Sequence, residues 1–214
     1  MAPHPLRARK RPARRLPRRL PRKLQRPERS VARNYQSESF NYAQDFSTID
    51  FRKHPERYQI GRGEQGVLVV EPYKSEILPH WRFKTPAIAE KSSKKIYQLF
   101  LQYRREKDFV GMDMARKFLQ MGYTRARRYA NHSSGRKYEK NPQLESTAEK
   151  EKAVRARRLP QASDWKTNEK AEAARIFYGV YLKAREDATY KRMGEQHRLL
   201  EKSLQNAGKK KSRG

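Results

Sequence analysis

Apolar residues along this chain follow two rhythms that change near residue 85. Before that point, Tyr58-Gln59-Ile60 and Val67 to Glu71 flank a glycine-rich segment that ends at Gly66. Short apolar, β-branched runs on either side of a turn signal read as a hairpin. Pro72 and Pro79 interrupt the next stretch, so residues 72 to 84 read as mixed strand and loop carrying Trp81 and Phe83. After residue 85 the period becomes helical. Thr85-Pro86 is a cap followed by proline at the first helical position, and Ile88, Ile96, Leu99, Phe100 and Tyr103 line one face to about Lys107. Asp108 can cap a second helix that turns Met112, Ala115, Phe118 and Leu119 inward, with Gly122 as its stop signal. Thr124 can cap a short third helix ending near His132. A last long helix is predicted from about Trp165 to Asn206, packing through Ala174, Phe177, Tyr178, Tyr181 and Leu182 and weakened at Gly194.

The expected fold is therefore a helix-rich α+β domain over residues 34–206. A small β-hairpin sheet (58 to 84) packs on three helices, with a long C-terminal helix beyond. Residues 34 to 57 have no clear period, and their scattered aromatics read as rings draped over the body. Residues 136–163 are polar, charge-mixed and broken by Pro142 and Pro160, and read as an excursion from the body.

Charge changes this picture. The 214 residues hold 52 Lys and Arg against 23 Asp and Glu, a formal net of +29. Residues 1–33 contain thirteen Lys or Arg, one acid (Glu28) and six prolines, a surplus of twelve positive charges. Proline and like-charge repulsion both oppose a packed structure, so this arm is expected to be disordered. Residues 207–214 read as a smaller disordered basic tail with four cations. Removing both still leaves +13 on the body, so the tails alone do not account for the charge. With no Cys, disulfides, thiolate chemistry and Cys-based metal sites are excluded. The longest wholly apolar run, Val67 to Val70, is far short of a membrane span, so no membrane association is expected. The arm lacks an apolar core for secretion, and its prolines oppose the amphipathic helix of an organellar presequence. The expected location is the cytoplasm, with the nucleoid implied if the ligand is DNA and organellar targeting the minority reading.

Several motifs resolve into ordinary structure. Gly61-Arg62-Gly63-Glu64-Gln65-Gly66 matches G-x-G-x-x-G, but a dinucleotide turn must open a helix, and Val67 to Val70 reads as strand. A kinase-type loop would need catalytic motifs that this chain lacks, and Glu64 would repel phosphate. Glycines serving a hairpin turn are the simpler reading. A metal-dependent nuclease could assemble Glu64, Glu71, Lys74, Glu76 and His80, because phosphodiester cleavage needs carboxylates for divalent ions and often a nearby lysine. Glu71 and Lys74 are three apart, which is not the two-residue spacing that shares a strand face, so local ion pairing is the simpler reading. The five His are scattered without an i, i+3 or i, i+4 pair, so no metal ligand set or cofactor site is expected.

The strongest functional signal lies in residues 125 to 138. At 100° per residue, Arg125, Arg128, Tyr129 and His132 share a stripe, Ala126 and Ala130 form a thin packing seam, and Arg127 pairs in register with Asn131. Arg136 and Lys137 lie just beyond. Cations suit phosphate and tyrosine suits stacking on a base, so this surface is the predicted nucleic-acid contact. The expected function is non-enzymatic nucleic-acid binding with phosphate-dominated affinity. The alternatives are a metal-dependent enzyme acting on nucleic acid or a phosphorylated substrate, and a component of an RNA-rich assembly. No module that separates DNA from RNA readers is present.

Two runs, EPYKSEILPHWRFKTP (71 to 86) and DFVGMDMARKFLQMGYTRARRYANH (108 to 132), resemble an uncharacterised domain-of-unknown-function family of bacteria, fungi and phages. IGRGEQGVL before them and KAEAARIFYGVYLKARED after them look similar to the same family. The resemblance spans about 52 to 138 and 165 to 200 and leaves out the Arg/Pro arm. It implies no activity, cofactor or catalytic residue.

Overall fold

A computed structural model describes Phe40, Tyr42 and residues 44–211, without the side chains of residues 143 and 208–211. The Arg/Pro arm lies outside the described residues. Among the described residues there are six α-helices: α1 Tyr73–Ile77, α2 Pro86–Arg105, α3 Phe109–Asn131, α4 Ala148–Ala156, α5 Glu169–Glu186 and α6 Ala188–Lys211. Short 3-10 turns occur at Pro55–Arg57, Leu78–His80 and Pro142–Leu144.

The core is a triangle of α2, α3 and α5, with α3 at its centre and α6 and α1 laid against it. Two of the three caps expected from the sequence are formed, those at Thr85 and Asp108. The Thr85 side chain accepts from the Ile88 N–H (3.3 Å) and Asp108 from the Gly111 N–H (2.9 Å), satisfying donors that a helix N-terminus leaves unpaired. Met112, Ala115, Phe118 and Leu119 are all buried on α3. On α2, Ile96, Phe100 and Tyr103 of the expected face are buried and Leu99 is half-buried, but the N-terminal part of the face is turned. Ala89, Ser92, Ser93, Ile96, Phe100 and Tyr103 are buried, while Ile88 is exposed.

The expected β-hairpin sheet is not formed, and among the described residues the fold is helical without a sheet. The backbone hydrogen bonds explain why. The N–H groups of Val69 and Val70 both donate to the Gly66 carbonyl (3.0 and 3.2 Å), coiling residues 66 to 70 into successive turns. The opposing segment binds α6 instead: the Ile60 N–H donates to Glu201 Oε1 (2.6 Å), and the Tyr58 carbonyl meets His197 Nε2 (2.8 Å). Val67 and Val70 are buried while Leu68 is exposed, a three-residue spacing that belongs to a turn and not to a strand. Residues 72 to 84 likewise hold α1 and a 3-10 turn in place of strand.

Helix boundaries differ as well. Gly122 does not end a helix, and α3 runs through it to Asn131. A Cβ at Gly122 would lie 2.3 Å from the Phe177 ring, so the missing side chain lets α5 press its largest core residue onto α3. Thr124 does not start a new helix; its hydroxyl donates to Glu64 Oε1 (2.6 Å). The long C-terminal helix is two helices broken at Asp187, whose ψ of 124° leaves the helical region. Its carboxylate caps α6 by accepting from the Tyr190 N–H (2.9 Å) and pairs with Arg104 on α2 (2.7 Å). α6 is helical as far as Lys211, and residues 212–214 lie outside the described residues.

Candidate nucleic-acid interface

The last turns of α3 carry most of the residues singled out by sequence, and the structure divides them. Arg128 and Tyr129 are exposed, as are Arg136 and Lys137 in the loop that leaves the helix, and Arg125 is half-buried. Arg127 and His132 are turned to structural use. The Arg127 guanidinium lies over the Trp165 ring (5.0 Å) and donates to the Trp165 carbonyl and to Asn131 (3.3 Å each). His132 is buried, with Nδ1 3.0 Å from the Pro160 carbonyl. Together with the Ala162 N–H bonded to the Asn131 carbonyl (2.9 Å) and an isolated antiparallel bridge between Tyr138 and Arg158, they close the base of the excursion. The part beyond includes α4, which buries none of its residues.

Beside Tyr129 opens a cleft of about 440 Å³, lined by Leu78, Trp81, Arg82, Phe83, Lys84, Tyr129 and Lys170. Three elements build it. The segment after the Leu78–His80 turn supplies the aromatic floor, α3 supplies Tyr129 and the first turn of α5 supplies Lys170. Trp81 is anchored through Nε1 to the Phe118 carbonyl (3.1 Å), and its ring lies 5.0 Å from Phe83. The Tyr129 ring lies 5.9 Å from Phe83 and is 40% exposed. On the other side of Tyr129, Gly135 adopts φ +67°, and a Cβ there would stand 2.6 Å from the ring. Glycine thus lets the loop close against Tyr129 in a conformation that side chains disfavour. Lys170 donates to the carbonyls of Lys84 (2.6 Å) and Phe83 (3.3 Å), and its ammonium lies 5.6 Å from the Phe83 ring centre. Burial lowers its pKa, Lys84 adds to the effect and Glu169 opposes it.

The residues proposed for metal-dependent catalysis do not converge. Glu64 accepts from Thr124; Glu71 pairs with Lys74 (2.6 Å) and accepts from Ser75. Burial pushes the Glu71 pKa up, but the hydrogen bonds from Lys74 and Ser75 outweigh it and hold it low. Glu76 receives both ends of the Arg52 guanidinium (2.8 Å each) and the Tyr103 hydroxyl (2.6 Å). The Arg52 bonds hold Glu76 below the usual carboxylate range. His80 contributes its backbone carbonyl to Ser92 (2.6 Å), with its side chain exposed. Among the described residues, no group of three or more His, Asp or Glu is placed to hold a metal ion.

The glycine-rich loop faces inward. Its carbonyls at Gly63 and Gln65 accept from Arg116 (3.4 Å) and Lys117 (2.7 Å), while the N–H groups of Arg62, Gln65 and Val67 bond within the loop. Gly63 and Gly66 do adopt positive φ, but in a string of turns and not in a hairpin. The loop rests on a buried charge network that sequence reasoning missed. Asp113 accepts from Arg116 (2.9 and 3.0 Å), from the Tyr190 hydroxyl (2.6 Å) and from the Tyr58 hydroxyl, and lies 3.3 Å from Lys117. Burial pushes the Asp113 pKa up, yet the charges of Arg116 and Lys117 and the two tyrosine hydroxyls hold it far below the usual range. Burial in turn lowers Lys117, against the pull of Asp113. Sequence also missed Trp81, Phe83 and Lys170 as one surface. The detectable signal was an aromatic pair interleaved with cations in Trp81-Arg82-Phe83-Lys84.

Among the described residues, no helix is long and apolar enough to cross a membrane. The chain matches the family described as a domain of unknown function, DUF4385, over residues 41–199, and it belongs to that family. The match begins after the Arg/Pro arm and spans every candidate site residue. No curated protein matches the chain, and no solved structure does.

Proposed function

We propose that this DUF4385 protein is a non-enzymatic nucleic-acid-binding protein whose affinity is dominated by phosphate neutralisation. The observation that supports this reading best is the exposed group of Arg128, Tyr129, Arg136 and Lys137, gathered where α3 ends and the excursion begins. The carboxylates of the enzyme alternative are engaged within the body, whereas these cations face solvent on a chain of net charge +29. A surface of this kind attracts polyanions, and each neutralised phosphate releases condensed counterions. The Arg/Pro arm adds a non-specific anchor in this proposal. Arg127 and His132 leave the contact set, because their side chains hold the base of the excursion.

Fluorescence anisotropy with a labelled oligonucleotide, repeated across a salt series, tests this. Replacing Arg128, Arg136 and Lys137 together by Gln should leave the melting temperature near that of the parent. The slope of log affinity against log salt should become shallower by about 2 on a single strand. An unchanged slope and affinity at low salt would sink the assignment of this surface.

A further inference from the structure

We propose that the cleft walled by Trp81, Phe83 and Tyr129 takes one unpaired base of a bound strand, which makes the protein a reader of single-stranded nucleic acid. The inference rests on the nucleic-acid reading above and adds the ligand of a distinct subsite. Three observations carry it.

The first is shape. A volume of about 440 Å³ with aromatic walls suits one planar ring system, and the walls are set before any ligand arrives. Trp81 is tied to the Phe118 carbonyl, and Tyr129 is held between Phe83 and the close approach of Gly135. Such preorganisation lowers the ordering cost of binding.

Charge is the second. The lining contains three cations, Arg82, Lys84 and Lys170, and no carboxylate. An aromatic box built for a quaternary ammonium would need a neutral or acidic rim. Here a lysine ammonium already stands over Phe83 and the rim is positive, so the complementary ligand is a flat ring carrying negative charge. A nucleotide has that chemistry. Arg82 anchors through Nη1 to the carbonyls of Leu78 (3.3 Å) and Trp81 (2.7 Å), and a guanidinium keeps further donors for phosphate. Lys84, also exposed, lines the same cleft. The same charge argument disfavours the chain's own Arg/Pro segment as the occupant, since like charges would meet at the rim.

Position is the third. Tyr129 belongs both to the cleft and to the exposed Arg128 surface, so a strand held there by its phosphates passes the cleft mouth. A base within a duplex is paired and stacked on both faces and cannot enter without being flipped out. A single strand enters at little cost.

The test uses the full chain and three labelled probes of about 15 nucleotides: an oligodeoxyadenylate, the matching duplex, and an abasic strand with the same number of phosphates. The oligodeoxyadenylate should bind about tenfold tighter than the abasic strand and should quench tryptophan emission. Tyr129→Ala should remove about that factor for the oligodeoxyadenylate and leave the abasic strand unaffected, while Tyr129→Phe keeps the parent affinity. The parent comparison decides the matter even if Tyr129→Ala fails to fold. Equal binding of adenylate and abasic strands overturns the base subsite and leaves phosphate-driven binding standing. Failure of all three probes to bind at low salt overturns the nucleic-acid reading, and this inference with it. Saturable quenching by a peptide of residues 12 to 21, displaced by no oligonucleotide, overturns the subsite in favour of a peptide groove.

Discussion

The two halves of α3 treat charge in opposite ways. Toward its N-terminus, Asp113 and Lys117 are fully buried and Arg116 nearly so; Lys117 bonds Tyr58 and Gln65, Arg116 bonds the Gly63 carbonyl, and Asp113 accepts from Tyr58 and from Tyr190 of α6. Among the described residues, no buried side-chain polar atom lacks a partner. About three turns beyond Lys117, Arg128 and Tyr129 face solvent beside a cleft with a positive rim. Both halves are rich in ionisable residues, so composition does not separate them. What separates them is whether the fold supplies a counter-charge. A sealed ion pair has no valence left for a ligand and acts on stability. An exposed cation has little effect on stability and its field reaches solution. The sealed half fastens α6 and the 58–66 loop to the core, and that fastening places the open half on a rigid support.

The sharpest way to break this contrast is to remove the central carboxylate. Asp113→Ala leaves Arg116 and Lys117 buried without their counter-ion and should cost about 3–5 kcal/mol in a denaturant melt. A cost near that of an ordinary surface substitution would mean that the network is not sealed. The same site makes a pH prediction. The folded pKa of Asp113 is depressed, so the stability it contributes is present above the unfolded value of about 3.9 and is lost as pH falls below it. Asp113→Asn should therefore flatten the acid limb of a stability-against-pH curve while lowering stability at neutral pH. A parallel acid limb in parent and variant would contradict this.

Gly122→Ala comes next. Its Cβ would drive into the Phe177 ring and should cost about 1–3 kcal/mol by overpacking, read as a lower melting temperature. At the open end the balance reverses. Arg128→Glu should lower oligonucleotide affinity about tenfold at low salt, through lost attraction and added repulsion, while shifting stability by less than about 0.5 kcal/mol. A large loss of stability would show that this end too is structural. Smallest of all, Tyr129→Phe should be silent in both melting and binding, since a stacking role needs the ring and not the hydroxyl.

Local rules were legible wherever a single helix could express them. Thr85-Pro86 and Asp108 mark helix starts because a cap acts on N–H groups two or three residues away, and the inward stripe of α3 follows from its own period. Asp187 was legible by the same rule, as a carboxylate able to cap Tyr190, but the continuous helical pattern on both sides masked it. The apolar runs at residues 58 to 60 and 67 to 71 carry the same β-branched signal as a hairpin. Only the tertiary structure gives Ile60 a partner in Glu201, 141 residues away, and turns Val67 and Val70 into one buried patch.

From the amino-acid sequence alone came the helical class after residue 85, the starts of α2 and α3, the basic character of body and tails, the absence of thiol chemistry and the likeness to an uncharacterised family. Only the tertiary structure decided that Gly122 is a contact and not a stop, that Asp113 belongs with Lys117, Tyr58 and Tyr190, and that Trp81, Phe83, Tyr129 and Lys170 share one cleft. The physical reason is range. Capping and periodicity act within a turn or two of one helix, whereas a counter-charge or a facing ring comes from wherever packing brings the chain back, as with Tyr129 and Lys170, joined across 41 residues in one wall.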